Sequence, residues 1–173
     1  MAVDDNKFFR EVTLRICGSL DIAEALSHVF DYIKKYIPAD TIGLGYSDLD
    51  SGQINVVAKI AQKGARYIWK DGAPEIVLSK EQVEHVRTLP VDRPAVRIVN
   101  GPDDQPGDPL HDMFPGLKSN SALFLRLDIH GEEFGALLMS AKGPDRYSPQ
   151  DAELIEKVRE PFTIAMINAR RYQ

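Results

Sequence analysis

Hydrophobic residues in this chain repeat with two different periods, and the places where the period changes divide it into elements. From Asn6 to Ile16 the spacing predicts a helix with Phe9, Val12 and Ile16 on one face and Gly18 as its stop. Asp21 reads as the cap of a second helix, with Glu24 three residues on. Ile22, Ala25, Leu26, Val29, Phe30, Ile33 and Ile37 give that helix a broad apolar stripe, and Pro38 ends it. The helical N-terminus is therefore set at 6–37.

The period then falls to two. Thr41–Ser47 and Gln53–Gln62 read as strands joined by a turn at Asp48–Gly52. Gly64–Ile76, which holds Trp69, fits neither period. Ser79 and Gln82 form a capping-box pattern opening a short helix through Val83, Val86 and Leu89, stopped by Pro90. Ala95–Val99 is a short strand. Residues 101–120 are rich in Pro, Gly and Asp yet carry Leu110, Met113, Phe114 and Leu117, so they read as a covering, lid-like loop with one turn of helix after Asp108-Pro109. Ser121–Ile129 and Phe134–Ala141 are strands of a hairpin turning at His130-Gly131. The sheet core spans 41–141.

The stretch 148–173 starts as a helix with Ser148 at the cap, Pro149 at the first position and Asp151 at the third. Ile155, Val158, Phe162, Ala165, Ala169 and Tyr172 follow at alternating steps of three and four, a narrow apolar seam. Two compatible uses are open: docking on the chain's own sheet, or pairing with another helix in signalling. Pro161 within this helix deletes one backbone hydrogen bond and predicts a kink. No capping residue closes the seam before Gln173, so the helix is expected to run on into a further output domain. Strands joined by turns with helices at both ends imply an α+β domain with a mainly antiparallel sheet.

Composition narrows the class. At 173 residues with 43% apolar and 27% charged residues, the chain fits one globular domain. A net charge of −5 with no basic stripe argues against binding nucleic acid. No apolar run approaches the roughly 20 residues of a membrane span. The single cysteine, Cys17, and a polar, acidic start without a signal-peptide pattern favour the cytoplasm.

These residues resemble a known family. Leu20–Leu26 opening the second helix, Ala39–Leu44 entering the first strand, Phe134–Met139 in the last strand, and Asp145–Ile155 entering the final helix are together similar to the GAF domain, a ligand-sensing relative of the PAS fold. The run Arg159–Ala169 resembles the version found at the N-terminus of bacterial sigma-54-dependent transcription activators. The resemblance implies a GAF-like central antiparallel sheet of five or six strands. Terminal helices would cover one face. The short helix and the long loop would roof a small-molecule pocket on the other. It also implies a homodimer through the terminal helices and an output domain, an ATPase with a DNA-binding unit, after Gln173.

Methionine-sulfoxide-reducing relatives use several cysteines and bilin-binding ones a pocket cysteine; Cys17 is alone and on the first helix. Asn6-Lys7-Phe8 matches only the opening of the cyclic-nucleotide signature, and in the wrong element. His28, His85, His111 and His130 fall at no metal-binding spacing, and no cofactor is indicated. His111, beside Met113 and Phe114, is either a haem or ligand contact or a surface loop residue. Asp103, Asp104, Asp108 and Asp112 form an acidic cluster, either a cation site or a solvated loop.

In strand 121–130 one face holds Leu123, Leu125, Leu127 and Ile129, and the other Ala122, Phe124, Arg126 and Asp128. The mixed face suits a pocket with orienting polar groups, and suits a solvent-facing sheet as well. The candidate ligand-binding residues are Tyr46, Trp69, Arg97, His111, Met113, Phe114, Phe124 and Arg126. The dimer and signalling helix is represented by Ile155, Val158, Pro161, Phe162, Ala165, Ala169 and Tyr172. A sensory domain in a transcription regulator heads the readings. A ligand-free dimerisation module of the same fold comes second. An enzyme using Arg126, His111 or Asp128 comes last, because no nucleophile–base pair is visible.

Overall fold

The computed structural model describes residues 3–62, 66–68, 76–90, 92–101, 104, 110–129 and 132–171. Trp69, Asp103, Asp108, Pro109, His130 and Tyr172 lie outside the described residues. Helix starts follow the caps. Asp4 accepts from Lys7 N at 3.1 Å ahead of α1 (Asp5–Ile16), and Asp21 from Ala23 N at 2.9 Å ahead of α2 (Ile22–Ile33). Ser79 opens α3 (Lys80–Arg87) and Ser148 opens α5 (Pro149–Glu156), each with a reciprocal capping box. The predicted run to Ile37 is shorter: α2 ends at Ile33, and the chain tightens into a turn in which Tyr36 N and Ile37 N both bond Ile33 O at 2.9 Å. Ile37 stays buried.

Among the described residues the strands β1 (Thr41–Asp48), β2 (Gln53–Ala61), β3 (Arg66–Ile68), β4 (Ile76–Val77), β5 (Val96–Val99), β6 (Asn120–Ile129) and β7 (Glu132–Lys142) form one antiparallel sheet. Its order is β3-β2-β1-β7-β6-β5, and β4 pairs with the other end of the β2 edge. Register assigns the two faces, because directly paired residues share a side. Ile42 pairs with Ile60 and Met139, Leu44 with Ala58 and Leu137, and Leu123 with Met139. These residues, with Leu125 and Leu127, are buried under helices.

Helix α2 lies over β2 and β1, α6 (Arg159–Arg171) lies over β6 and β7, and α1 packs on α2 and α6. Phe8, Leu26, Phe30, Ile33, Phe162 and Met166 complete this core, each contributing about 1.5–3 kcal/mol. Gly135 permits the close seat of α6: a Cβ there would come within 2.8 Å of Gly45 O and 3.2 Å of Met166 Cε. Between Leu44 and Gly45 the pairing shifts, placing an extra β2 residue, Val57, in a bulge.

The helix expected over 148–173 is two helices. α5 ends at Glu156, Lys157 caps it, and α6 begins at Arg159. The tightened bonds Lys157 N–Leu154 O (3.3 Å) and Val158 N–Ile155 O (3.1 Å) mark the break. Pro161 explains its place. A proline ring crowds the carbonyl four residues earlier, here that of Lys157, so the chain breaks there and Pro161 sits in the first turn of α6 where its missing N–H is tolerated.

Candidate functional site

The face of the sheet away from α1, α2 and α6 carries the mixed residues. Arg97 of β5 pairs with Phe124 of β6, which pairs with Leu138 of β7; Val99 pairs with Ala122. Arg126 follows Phe124 by two positions and so shares this side. A short roof covers part of it, made of α4 (Leu110–Met113) and a 3₁₀ turn (Pro115–Lys118). Leu117 is buried against Val99 and Ala122, with Leu110, Phe114, Phe124 and Leu138 around them. The Phe114 ring meets Phe124 edge-on at 5.4 Å between centroids. Met113 is buried in the roof helix. Helix α3 is clipped to the β1–β2 turn, with Arg87 donating to Asp50 at 3.2 Å, and none of its residues is fully buried.

Charge on this face is held at defined points. Arg126 Nε donates to Asp128 Oδ1 and Oδ2 at 2.9 and 3.0 Å, and its terminal nitrogen donates to Arg93 O at 3.2 Å. Arg159, the first residue of α6, stands 3.9 Å from the same Asp128 carboxylate. Burial pulls the Arg97 guanidinium below its usual range, opposed by the nearby Asp104 carboxylate.

The roof is tied down through Asp104. Its carbonyl lies 2.8 Å from His111 Nε2 and can only accept, so that nitrogen is the donor. Nδ1 is buried and has no hydrogen-bond partner among the described residues. The Asp104 carboxylate accepts from Asn100 N at 2.7 Å. Asn100 in turn makes two side-chain bonds to the backbone of Tyr147, Nδ2 to its carbonyl at 2.9 Å and Oδ1 from its amide at 3.0 Å. Of the acidic loop cluster, Asp104 thus has its carboxylate on a backbone amide, while Asp103 and Asp108 lie outside the described residues. Nothing in the sequence pattern singled out Asn100, because its partner is 47 residues away.

The predicted site residues separate into two groups. Arg97, Phe124 and Arg126 share one sheet face, with His111, Met113 and Phe114 in or beside its roof. Tyr46 is elsewhere. It follows Leu44 on the helix-covered side, and the Arg170 guanidinium stacks 3.9 Å from its ring centroid. The apolar seam also faces inward. Ile155, Val158, Pro161, Phe162 and Ala165 are buried, and Ala169 packs on the same core. Of the two uses open in the sequence, this is docking on the chain's own domain, and the seam is not left as an outward pairing surface. The outward sides keep Phe9 at 40% and Ile164 at 44% exposure.

A separate open groove of about 450 Å³ lies between α1 and α2, lined by Leu14, Arg15, Gly18, His28 and Asp31. Beside it, burial and a hydrogen bond with the Tyr36 hydroxyl push the Tyr32 phenol up to about 12. Cys17 is exposed at the end of α1. Among the described residues no three His, Cys, Asp or Glu side chains cluster as a metal site, and no helix is long and apolar enough to cross a membrane.

No family model and no curated protein matches the chain. Solved structures do. The GAF domain of an Acinetobacter phosphoenolpyruvate-protein phosphotransferase superposes with a TM-score of 0.62 at 15% identity, covering 99% of this chain and 98% of that one. The GAF domain of a two-component sensor histidine kinase from Bacillus halodurans gives 0.60 at 15% identity, over 89% and 99%. Free methionine-R-sulfoxide reductase from Neisseria meningitidis, in complex with its substrate, gives 0.59 at 12% identity, over 100% and 96%. At such identities the likeness speaks for architecture. With its antiparallel sheet, helices packed on one face and a short roof on the other, the chain has the GAF-like fold.

Proposed function

We propose that this chain is a non-catalytic, cytoplasmic sensory domain that binds a small molecule between the second sheet face and its roof. One observation carries the reading: an aromatic and cationic set, Phe124, Arg97 and Arg126, lies on one face beside a roof helix whose His111 Nδ1 is buried without a hydrogen-bond partner among the described residues. A guest that hydrogen-bonds with Nδ1 would satisfy that atom, which otherwise carries a desolvation cost of about 1–3 kcal/mol. The domain would serve a bacterial signalling or transcription regulator. The run Arg159–Ala169 favours the sigma-54-dependent activators, with an ATPase and DNA-binding output after Gln173 and a homodimer through the exposed sides of α1 and α6.

Catalysis of the reductase kind is disfavoured by composition: the one cysteine is Cys17, on the helix side of the sheet. The ligand-free dimerisation module remains a second reading, favoured by the packing of Leu117, Phe114 and Leu138 over Val99 and Ala122. Native mass spectrometry of the purified chain, with thermal shift against a metabolite library, separates the two. A bound or stabilising small molecule whose effect is lost in Phe124→Ala and Arg126→Gln supports the sensor. A dimer that takes up nothing in either assay supports the module.

A further inference from the structure

The roof and the helix pair are joined by one run of hydrogen bonds. It starts at His111 Nε2 on Asp104 O (2.8 Å), passes through the Asp104 carboxylate to Asn100 N (2.7 Å), and crosses by the Asn100 amide to both backbone groups of Tyr147 (2.9 and 3.0 Å). The Asn100 carbonyl also accepts from Asp145 N at 3.0 Å. Tyr147 precedes Ser148, whose hydroxyl accepts from Asp151 N at 3.3 Å and whose amide donates to Asp151 Oδ2 at 3.0 Å. The run therefore ends on the cap that starts α5.

Its two ends differ in how firmly they are held. Tyr147 is buried in the main core, whereas α4 is one turn long and rests on the sheet by Phe114, Leu117 and their neighbours. The Asn100 side chain spans the gap between Asp104 and the entry to α5, and it grips Tyr147 as a strand partner would, accepting and donating at once. Such a bidentate amide transmits a shift in position more directly than a single bond, because neither end can swivel about one contact.

We infer that Asn100 is the coupling residue of this domain: the position of α4, set by whatever lies beneath it, reaches the α5 cap through His111, Asp104 and Asn100. This rests on the sensor reading for its biological meaning, while the mechanical link itself belongs to the chain without any guest. A guest that lifts α4 draws on Asp104, loosens the Asn100 grip and frees the first turn of α5, the helix whose far end is the break before α6.

Hydrogen exchange read by mass spectrometry on the unliganded chain tests the link. In His111→Ala, the amides of Asp151 and Ala152 should exchange about fivefold to tenfold faster, with those of β6 and β7 unchanged. His111→Gln keeps an N–H donor at the reach of Nε2 and should return them to within about twofold of the parent. Asn100→Ala should speed the same amides, and adding His111→Ala to it should change them by less than about twofold, since the run is already cut. An α5 cap untouched by His111→Ala overturns the inference. So does a glutamine variant that behaves like alanine, or a rise spread evenly over β6 and β7. A link that holds in a chain that binds nothing leaves this inference standing and removes the sensor reading, so the two fail separately.

Discussion

Asp128 binds Arg126 with both carboxylate oxygens at 2.9 and 3.0 Å, and it does so at the point where Arg159 begins α6. The Arg126 and Asp128 side chains are only 15% and 18% exposed, so the carboxylate is the counter-ion that lets a mostly buried guanidinium sit on the second face. Asp128→Ala should leave two arginines without it. The expected loss is about 1–3 kcal/mol, between the values for surface and buried pairs, read as a lower urea midpoint at unchanged slope. Arg126→Met combined with Asp128→Ala should recover part of the loss, because no unpaired charge then remains.

Tyr147 gives a prediction with a sign that runs against intuition. Its hydroxyl is buried and has no partner among the described residues, and burial drives its pKa well above the ordinary phenol range. Tyr147→Phe should therefore leave stability unchanged or raise it by up to about 1 kcal/mol near neutral pH. A loss beyond about 1 kcal/mol in a urea titration would show that the hydroxyl has a partner after all.

The same phenols set the alkaline limit. A group whose folded pKa lies above its unfolded value of about 10 adds stability that is whole below that pH and is lost as pH rises through the folded value. For Tyr32, raised to about 12, the loss falls between about 10 and 12. Tyr147→Phe and Tyr32→Phe should each flatten the fall of unfolding free energy across that window, measured by chemical denaturation at stepped pH.

Pro161 is expected to hold the break between α5 and α6. In Pro161→Ala the clash with the Lys157 carbonyl disappears and an amide becomes available to bond it. The amides around residues 158–161 should gain protection, seen by NMR exchange, while the sheet is unaltered. Unchanged protection there would assign the break to the inward pull of Val158 and Phe162, both fully buried.

What could be read from the chain was what is encoded over short distances. The Asp21, Ser79 and Ser148 caps each act within three residues, and each starts a helix where the residues say it should. Alternation in β6 placed Leu123, Leu125 and Leu127 on one face and Phe124 and Arg126 on the other, because a period of two leaves no freedom once one face is buried. What was not legible depends on contacts between remote segments. Tyr46 is a candidate pocket wall by residue type alone, whereas its side of the sheet is fixed by Leu44 and by Arg170 of the last helix. Pro161 marked an irregularity, but a kink and a full break differ only in how the neighbours pack. The Asn100–Tyr147 clasp links β5 to α5 and leaves no periodic trace at all.

Helix α1 is seated against both α2 and α6, and its Asp5 carboxylate is bridged by Lys157 at 3.0 Å. Within this domain α1 is synthesised before every other element, whereas α6 comes after all of them. Phe8, Val12 and Ile16 can meet α2 early but cannot be covered by α6 until the domain is nearly made, and until then that side must wait exposed or be shielded by a chaperone. The domain can close only once almost all of it has been made, so a nascent chain stalled before Phe162 would remain an open half-shell.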